Sequence, residues 1–481
     1  MLNMNKLNIK TLALVVWTGA VLGGCASQQN VPESGSVVVS HLPVEGERLS
    51  AEYTVEVNGH SVPVYTAGLS EDSLEAPLHL DAYYSFADFE CAGAVDVVIR
   101  SAEPLSELTV RAVGRALPVE LDGNTATFRL ETNGNFLIER NGNGRKDPLL
   151  LFANPLDRNP PTQGDPNVVY FGPGWHDAGL ITLTDNQTLY IAGGAIVTGR
   201  VEASGDNIRI LGRGMLENST EAHNWKNIVL LNECTNARVE GITIRKNTRG
   251  WTLVTKECDG LVISNVKICG SHSYNDDGID LCNTRNARVE GCFVRTNDDC
   301  FAFKGINEAQ RTNCENIVVT DCMMWSNLCT TVLLGDESHA NYMRNIVFED
   351  CFVPYLSYEK YPKKFLMLHA CEAMRMENIR IENVEIRGEG QDRNYIEIAA
   401  EFNQWCQTET AGHIRNVLLK NIQLTGDEGG YYVVIKGFDA THLVENLRFE
   451  DCTINGTALA RDAARVEIGD FTKNISFHSS H

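Results

Sequence analysis

Two acidic clusters carry residue types at a spacing that suits chemistry: Asn275-Asp276-Asp277-Gly278 and Asn297-Asp298-Asp299-Cys300. Asp277 and Asp298 are 21 residues apart, and each cluster leads into a short apolar segment. Carboxyls brought within one strand spacing, roughly 4.8 Å, cannot all ionise freely, so at least one becomes a proton donor near neutral pH. A carboxylic acid that protonates a leaving oxygen, beside a carboxylate that activates water, is what hydrolysis of a glycosidic bond requires. Spacing alone is met equally well by two Asp-rich turns or by a calcium site, because hard cations also choose clustered carboxylates.

The elements that must hold these residues follow from a repeat. A phrase of Asn or Asp, two residues and then alternating apolar positions starts at Asn207, Asn236, Asp259, Asn286, Asn316, Asn345, Asn378, Asn416, Asn446 and Asn474. The starts are 29, 23, 27, 30, 29, 33, 38, 30 and 28 residues apart, mostly too short for a βαβ unit at every step. β-Branched residues alternate with polar ones at period two, which marks strands. Short strands repeating every twenty to forty residues predict an all-β solenoid, a right-handed parallel β-helix over 161–481. Stacked coils would set the two acidic clusters side by side on one face. Cys292, Cys322, Cys351 and Cys452 each fall six residues after the Asn of their own coil, so they are expected as an inward core ladder rather than metal ligands. Cys234 with Cys258 is a possible disulfide that the sequence leaves open.

Residues 25–160 have a different texture. Segments such as YTVEVNG, VDVVIRS and ATFRLET, separated by Gly, Asn, Asp and Pro turns, predict an N-terminal β-sandwich module. Its plainest role is a cap or spacer for the rod. The stretch Pro148 to Phe152 reads as a buried strand leading into the linker.

Composition narrows the function. With 41 basic against 63 acidic residues the net charge is −22, so nucleic acid is not an expected partner. There is no CxxC with a matching partner, and neither a metal nor a cofactor is expected. Residues 1–24, with Lys6 and Lys10 before an apolar run that ends in Leu22-Gly23-Gly24-Cys25, resemble a bacterial lipoprotein signal peptide. That resemblance implies lipidation of Cys25 and a membrane anchor, with Ala26 favouring the outer membrane; the alternative is a plain secretory signal. No later stretch has the length of a membrane-spanning helix, and a monomer is expected.

The motif Asn275-x-Asp277-Gly278-Ile279-Asp280, followed by Asp298-Asp299-Cys300-Phe301-Ala302-Phe303-Lys304, resembles the signatures of glycoside hydrolase family 28, the polygalacturonases. The stretch from Met323 to Ser338 is more similar to family 49, the dextranase and isopullulanase group. The likeness covers roughly residues 165 to 355. It implies Asp298 as general acid, Asp277 and Asp299 positioning and deprotonating the water, and inversion at the anomeric carbon. Two departures stand out: Leu328-Cys329-Thr330 occupies the place of a Gly-His-Gly turn, and no Arg-Ile-Lys is present. Without that cationic pair the expected substrate is a neutral or differently charged polysaccharide rather than galacturonan.

Around the aspartates, Lys304, Tyr274, Trp325, His272 and His339 are the expected substrate-binding residues, with Trp225, Trp251 and His369 further candidates and Asp336-Glu337 extending the acidic cleft. Each has a plainer alternative: coil packing for the aromatic rings, a charge partner of the aspartates for Lys304. Two other functions fit the same fold, a polysaccharide lyase and a non-catalytic glycan-binding solenoid.

Overall fold

The computed structural model describes residues 36–69, 83–142, 147–218, 227–246, 250–270, 275–306, 313–357, 364–389, 393–406, 408–426 and 431–480. Cys25 and the leader, His272, Tyr274 and Trp225 lie outside the described residues. Among the described residues there is no α-helix.

From Val168 to His478 thirty strands form one continuous ladder whose coil-to-coil pairings are parallel. This is a right-handed parallel β-helix with three strand-bearing faces per coil. Apolar side chains at alternate positions point inward, and Ile210, Val239, Ile263, Val289, Val319, Phe348, Ile381, Leu419 and Phe449 stack through one continuous core.

The repeated Asn has a backbone cause. Asn207, Asn236, Asn286, Asn316, Asn345, Asn378, Asn416, Asn446 and Asn474 all turn the chain at φ between 53° and 59°, a left-handed conformation that Asn tolerates because its short side chain bonds locally. Their amides also form a ladder: the Nδ2 of each donates to the Oδ1 of its predecessor, as in Asn345 to Asn316 at 2.9 Å and Asn378 to Asn345 at 3.0 Å. A second ladder joins Asp350, Asn383 and Asn421 five residues further on. Cys292, Cys322, Cys351 and Cys452 are buried in the core as expected. Cys234 and Cys258 are neighbouring free thiols joined by a hydrogen bond, not a disulfide.

The N-terminal module is a sandwich of a seven-stranded and a five-stranded sheet. Strand Leu149–Pro155 explains the apolar run read from sequence, since its two faces are buried in different cores. Leu149 and Leu151 join the sandwich interior. Leu150 and Phe152 join a second core with Ile196, Phe293, Met323, Trp325 and Phe352 of the solenoid. The seven-stranded sheet therefore lies flat on one solenoid face, and Ser36 to His481 is a single compact unit.

Candidate active site

The acidic clusters sit at the corner between the solenoid face covered by the sandwich and the next face, formed by strands such as Ile279–Cys282 and Phe301–Lys304. Strand Ile279–Cys282 pairs with Phe301–Lys304 so that Ile279 faces Phe301. This register, one residue longer than the spacing of Asp277 and Asp298, sets Asp276 level with Asp298 and Asp277 level with Asp299. Gly278 is required at that corner, since an added Cβ would lie 2.6 Å from the Cys300 carbonyl oxygen and 2.4 Å from a Val294 methyl.

Backbone amides fix the carboxylates. Asp276 is fully buried and accepts the N–H of Asn297 at 2.9 Å and of Asp298 at 2.8 Å, so it shapes the second cluster rather than facing outward. Asp298 accepts the Asn275 N–H at 2.7 Å and the Asp299 N–H at 3.0 Å, with Asn275 held at φ 62° to aim its amide. Asp299 accepts the Thr330 N–H at 3.1 Å. The Cys329 thiol hydrogen-bonds to both Asp298 and Asp299. The following turn is tied on by Ser326 Oγ, which donates to the Asp298 carbonyl at 2.8 Å.

Electrostatics divide these groups. Burial, then the neighbouring Asp277 charge, raises the Asp298 carboxyl above the ordinary carboxylate range. Asp299 is raised further by burial and by the Asp298 and Asp277 charges. Because each carboxyl feels the charge of the other, the two titrate as a pair, with protonation favoured above the ordinary carboxylate range. Asp298 is the half-buried member, whereas Asp299 and Asp277 are buried. Asp277 has a cation of its own, the Lys304 ammonium at 2.9 Å from Oδ2.

Lys304 corrects one expectation. Its side chain is 4% exposed and is held by Asp277, by Asp280 at 3.6 Å and by Glu337 at 3.1 Å, with its ammonium 4.0 Å above the Trp251 ring. It is a buried charge partner beneath the aspartates, not a hand extended to substrate. Trp325 is a second correction. At 3% exposure it packs on Tyr355 and under the Arg295 guanidinium, 3.7 Å away, inside the core shared with the sandwich. Its strand belongs to the covered face, so no sugar reaches it.

The remaining candidates are spread along the following coils. The His339 imidazole pairs with Glu372 at 3.4 Å. Glu337 reaches Lys304, while Asp336 approaches His369 Nδ1 at 3.5 Å. His369 also contacts Glu397 at 3.0 Å and Glu401 at 3.3 Å, and Lys364 and Lys436 neutralise those two glutamates. Sequence reasoning missed two buried groups. Asp280 has no solvent exposure and is raised by burial and by Asp277; Lys246 is buried among the fields of Asp276, Asp277, Asp280 and Asp298, and burial lowers its ammonium. Asp280 stands inside the quoted motif, but Lys246 has no local signal. Among the described residues, two groups have ligand atoms close enough for a metal ion, Asp298-Asp299-Cys329 and His369-Glu397-Glu401. The Lys364 and Lys436 pairings of the second already supply its counter-charge.

The family model Glycosyl hydrolases family 28 matches residues 180–473. Dex49A from Penicillium minioluteum superposes with a TM-score of 0.61 at 16% identity, covering 91% of this chain and 96% of that one. The family 28 exopolygalacturonase of Yersinia enterocolitica aligns at 0.46 and 12% identity over 80% of this chain and 96% of its own. That of Thermotoga maritima aligns at 0.45 and 18% identity over 65% and 84%. No curated protein sequence matches the chain.

Proposed function

The chain belongs to glycosyl hydrolases family 28, a polysaccharide-cleaving hydrolase family, and from that premise we propose that it cleaves a neutral polysaccharide by single displacement with inversion. Asp298 protonates the leaving glycosidic oxygen, and Asp277 and Asp299 hold a water and take its proton as it attacks the anomeric carbon. The observation that carries this reading is the raised, half-buried Asp298 beside two buried carboxyls, one of which has its own lysine. Burial and repulsion keep a proton where an acid is needed, while Lys304 offsets charge at the base side. A neutral substrate is supported by the lysines beside and beyond the aspartates. Lys304, Lys364 and Lys436 are each held by a carboxylate, which leaves none of the three to grip a uronate.

The leader suggests that the protein is exported and anchored through acylated Cys25 at the outer membrane, as a monomer. Palmitate labelling of wild type against Cys25→Ser tests the anchor.

The reaction is tested with the soluble form begun after Cys25 on a panel of neutral and acidic polysaccharides, following reducing ends and anomeric configuration by proton NMR. New ends of inverted configuration are expected, with Asp298→Asn slower by about 10² to 10⁴. Unsaturated ends that persist in Asp298→Asn would replace this mechanism with elimination.

A further inference from the structure

We propose that Trp405 is a sugar-stacking platform on the turn that lies three rungs beyond the aspartates, toward the C-terminal coils. The proposal rests on the reading of the protein as a polysaccharide hydrolase.

Trp405 is 62% exposed, the most exposed of the large aromatic side chains among the described residues. A lone exposed apolar residue needs no explanation, but the turn that carries this one is held in place. The Trp405 backbone N–H donates to Asn403 Oδ1 at 2.8 Å, and the Cys406 backbone N–H donates to the Asn403 carbonyl at 3.1 Å. Asn403 Nδ2 in turn donates to Asp336 Oδ1. The residue after Asp336 is Glu337, which touches Lys304, which touches Asp277. One chain of direct contacts thus ties the indole-bearing turn to the reaction centre.

Its place in the coil is equally specific. The turn follows strand Arg393–Ala400, three rungs beyond Phe301–Lys304 on the same face. Three rungs are roughly 14 Å, the length of about three hexose units. On the next rung Phe438 is 41% exposed, with its ring packed edge-on against Phe402 at 5.4 Å. Between trio and indole lie the half-buried Asp336, Glu337 and Glu401, whose remaining lone pairs can accept hydrogen bonds from hydroxyls and repel carboxylates. A flat apolar ring beside hydrogen-bond acceptors matches a neutral pyranoside, which offers C–H bonds on one face and hydroxyls at its edge.

The test uses the binding-competent, cleavage-deficient Asp298→Asn protein with and without Trp405→Ala, in affinity gels cast with soluble dextran, xylan, galactomannan or polygalacturonate. Retardation by a neutral polymer is expected, weakened about tenfold by Trp405→Ala and largely retained by Trp405→Phe. In the active enzyme, Trp405→Ala should raise KM on that polymer about tenfold while leaving turnover of fragments shorter than three units unchanged. Equal retardation of both proteins would overturn the platform and leave the hydrolase reading standing. Retardation by none of the polymers, with no cleavage, would remove both. A change of oligomeric state in Trp405→Ala on size exclusion, without loss of sugar binding, would reassign the ring to a protein contact.

Discussion

Lys304 is the residue on which charge in the site depends. Its ammonium lies against Asp277, Asp280 and Glu337 with almost no water. Lys304→Met would remove the charge that lowers Asp280 and Asp299, which favours their protonated forms. The sign is then determined. A base that needs to be ionised loses its proton only at higher pH, so the acidic limb of kcat/KM moves upward. The alkaline limb, where Asp298 must remain protonated, also cannot move downward, because less positive charge raises a carboxyl. Rate profiles of both proteins from pH 4 to 9 check this, and an acidic limb that stays or falls would contradict it. Removing one partner of a buried ion pair also costs about 3 to 5 kcal/mol of stability, readable from urea unfolding at pH 7.

The stacking Asn turn is the unit that repeats at the scale of the element. Asn345 illustrates its two contributions: a φ of 56° that most residues resist, and amide bonds to Asn316 below and Asn378 above. Asn345→Ala should lose about 1 to 2 kcal/mol for the left-handed backbone and about 1 kcal/mol for each hydrogen bond. Asn345→Gly should lose the bonds but be spared the backbone cost. Thermal unfolding should therefore rank wild type above Gly above Ala, and an Ala variant as stable as Gly would remove the backbone half of the argument. The turn was legible in the sequence because a periodic residue with a local backbone preference recurs whatever packs outside it. The acidic corner was legible for the same reason, although its register is one residue longer than the spacing of Asp277 and Asp298.

At the scale of the whole molecule the sandwich is cladding rather than a stalk. Besides the shared apolar core, Arg245 of the solenoid reaches Glu47 at 2.5 Å and Glu217 at 2.5 Å. Arg387 reaches Glu139 at 2.6 Å, and the buried Lys267 ammonium, lowered by burial to about 8, donates to Asn154 at 2.5 Å. Among the described residues the Arg295 guanidinium has no hydrogen-bond partner, and it is held between the Tyr84 and Trp325 rings at 4.1 and 3.7 Å. Parts joined by a common core and by buried charges that neither could expose cheaply should unfold together. Calorimetry of the body begun after Cys25 is expected to give one transition, with Phe152→Ala lowering it as a whole; two separated transitions would show an independent module.

The sequence by itself determined the coil, its inward thiol ladder, the family likeness and the acidic corner, because each is written in local periodicity and short spacing. Alternation at period two distinguishes in from out, but it does not say which of three outward faces another module covers. Only the tertiary structure decided that the face bearing Trp325 is the one the sandwich covers. It also decided that Lys304 folds under the aspartates instead of reaching for substrate, and that Lys246, from an earlier coil, comes to lie beside them. These are relations between residues tens of positions apart, set by packing, and no local pattern encodes them.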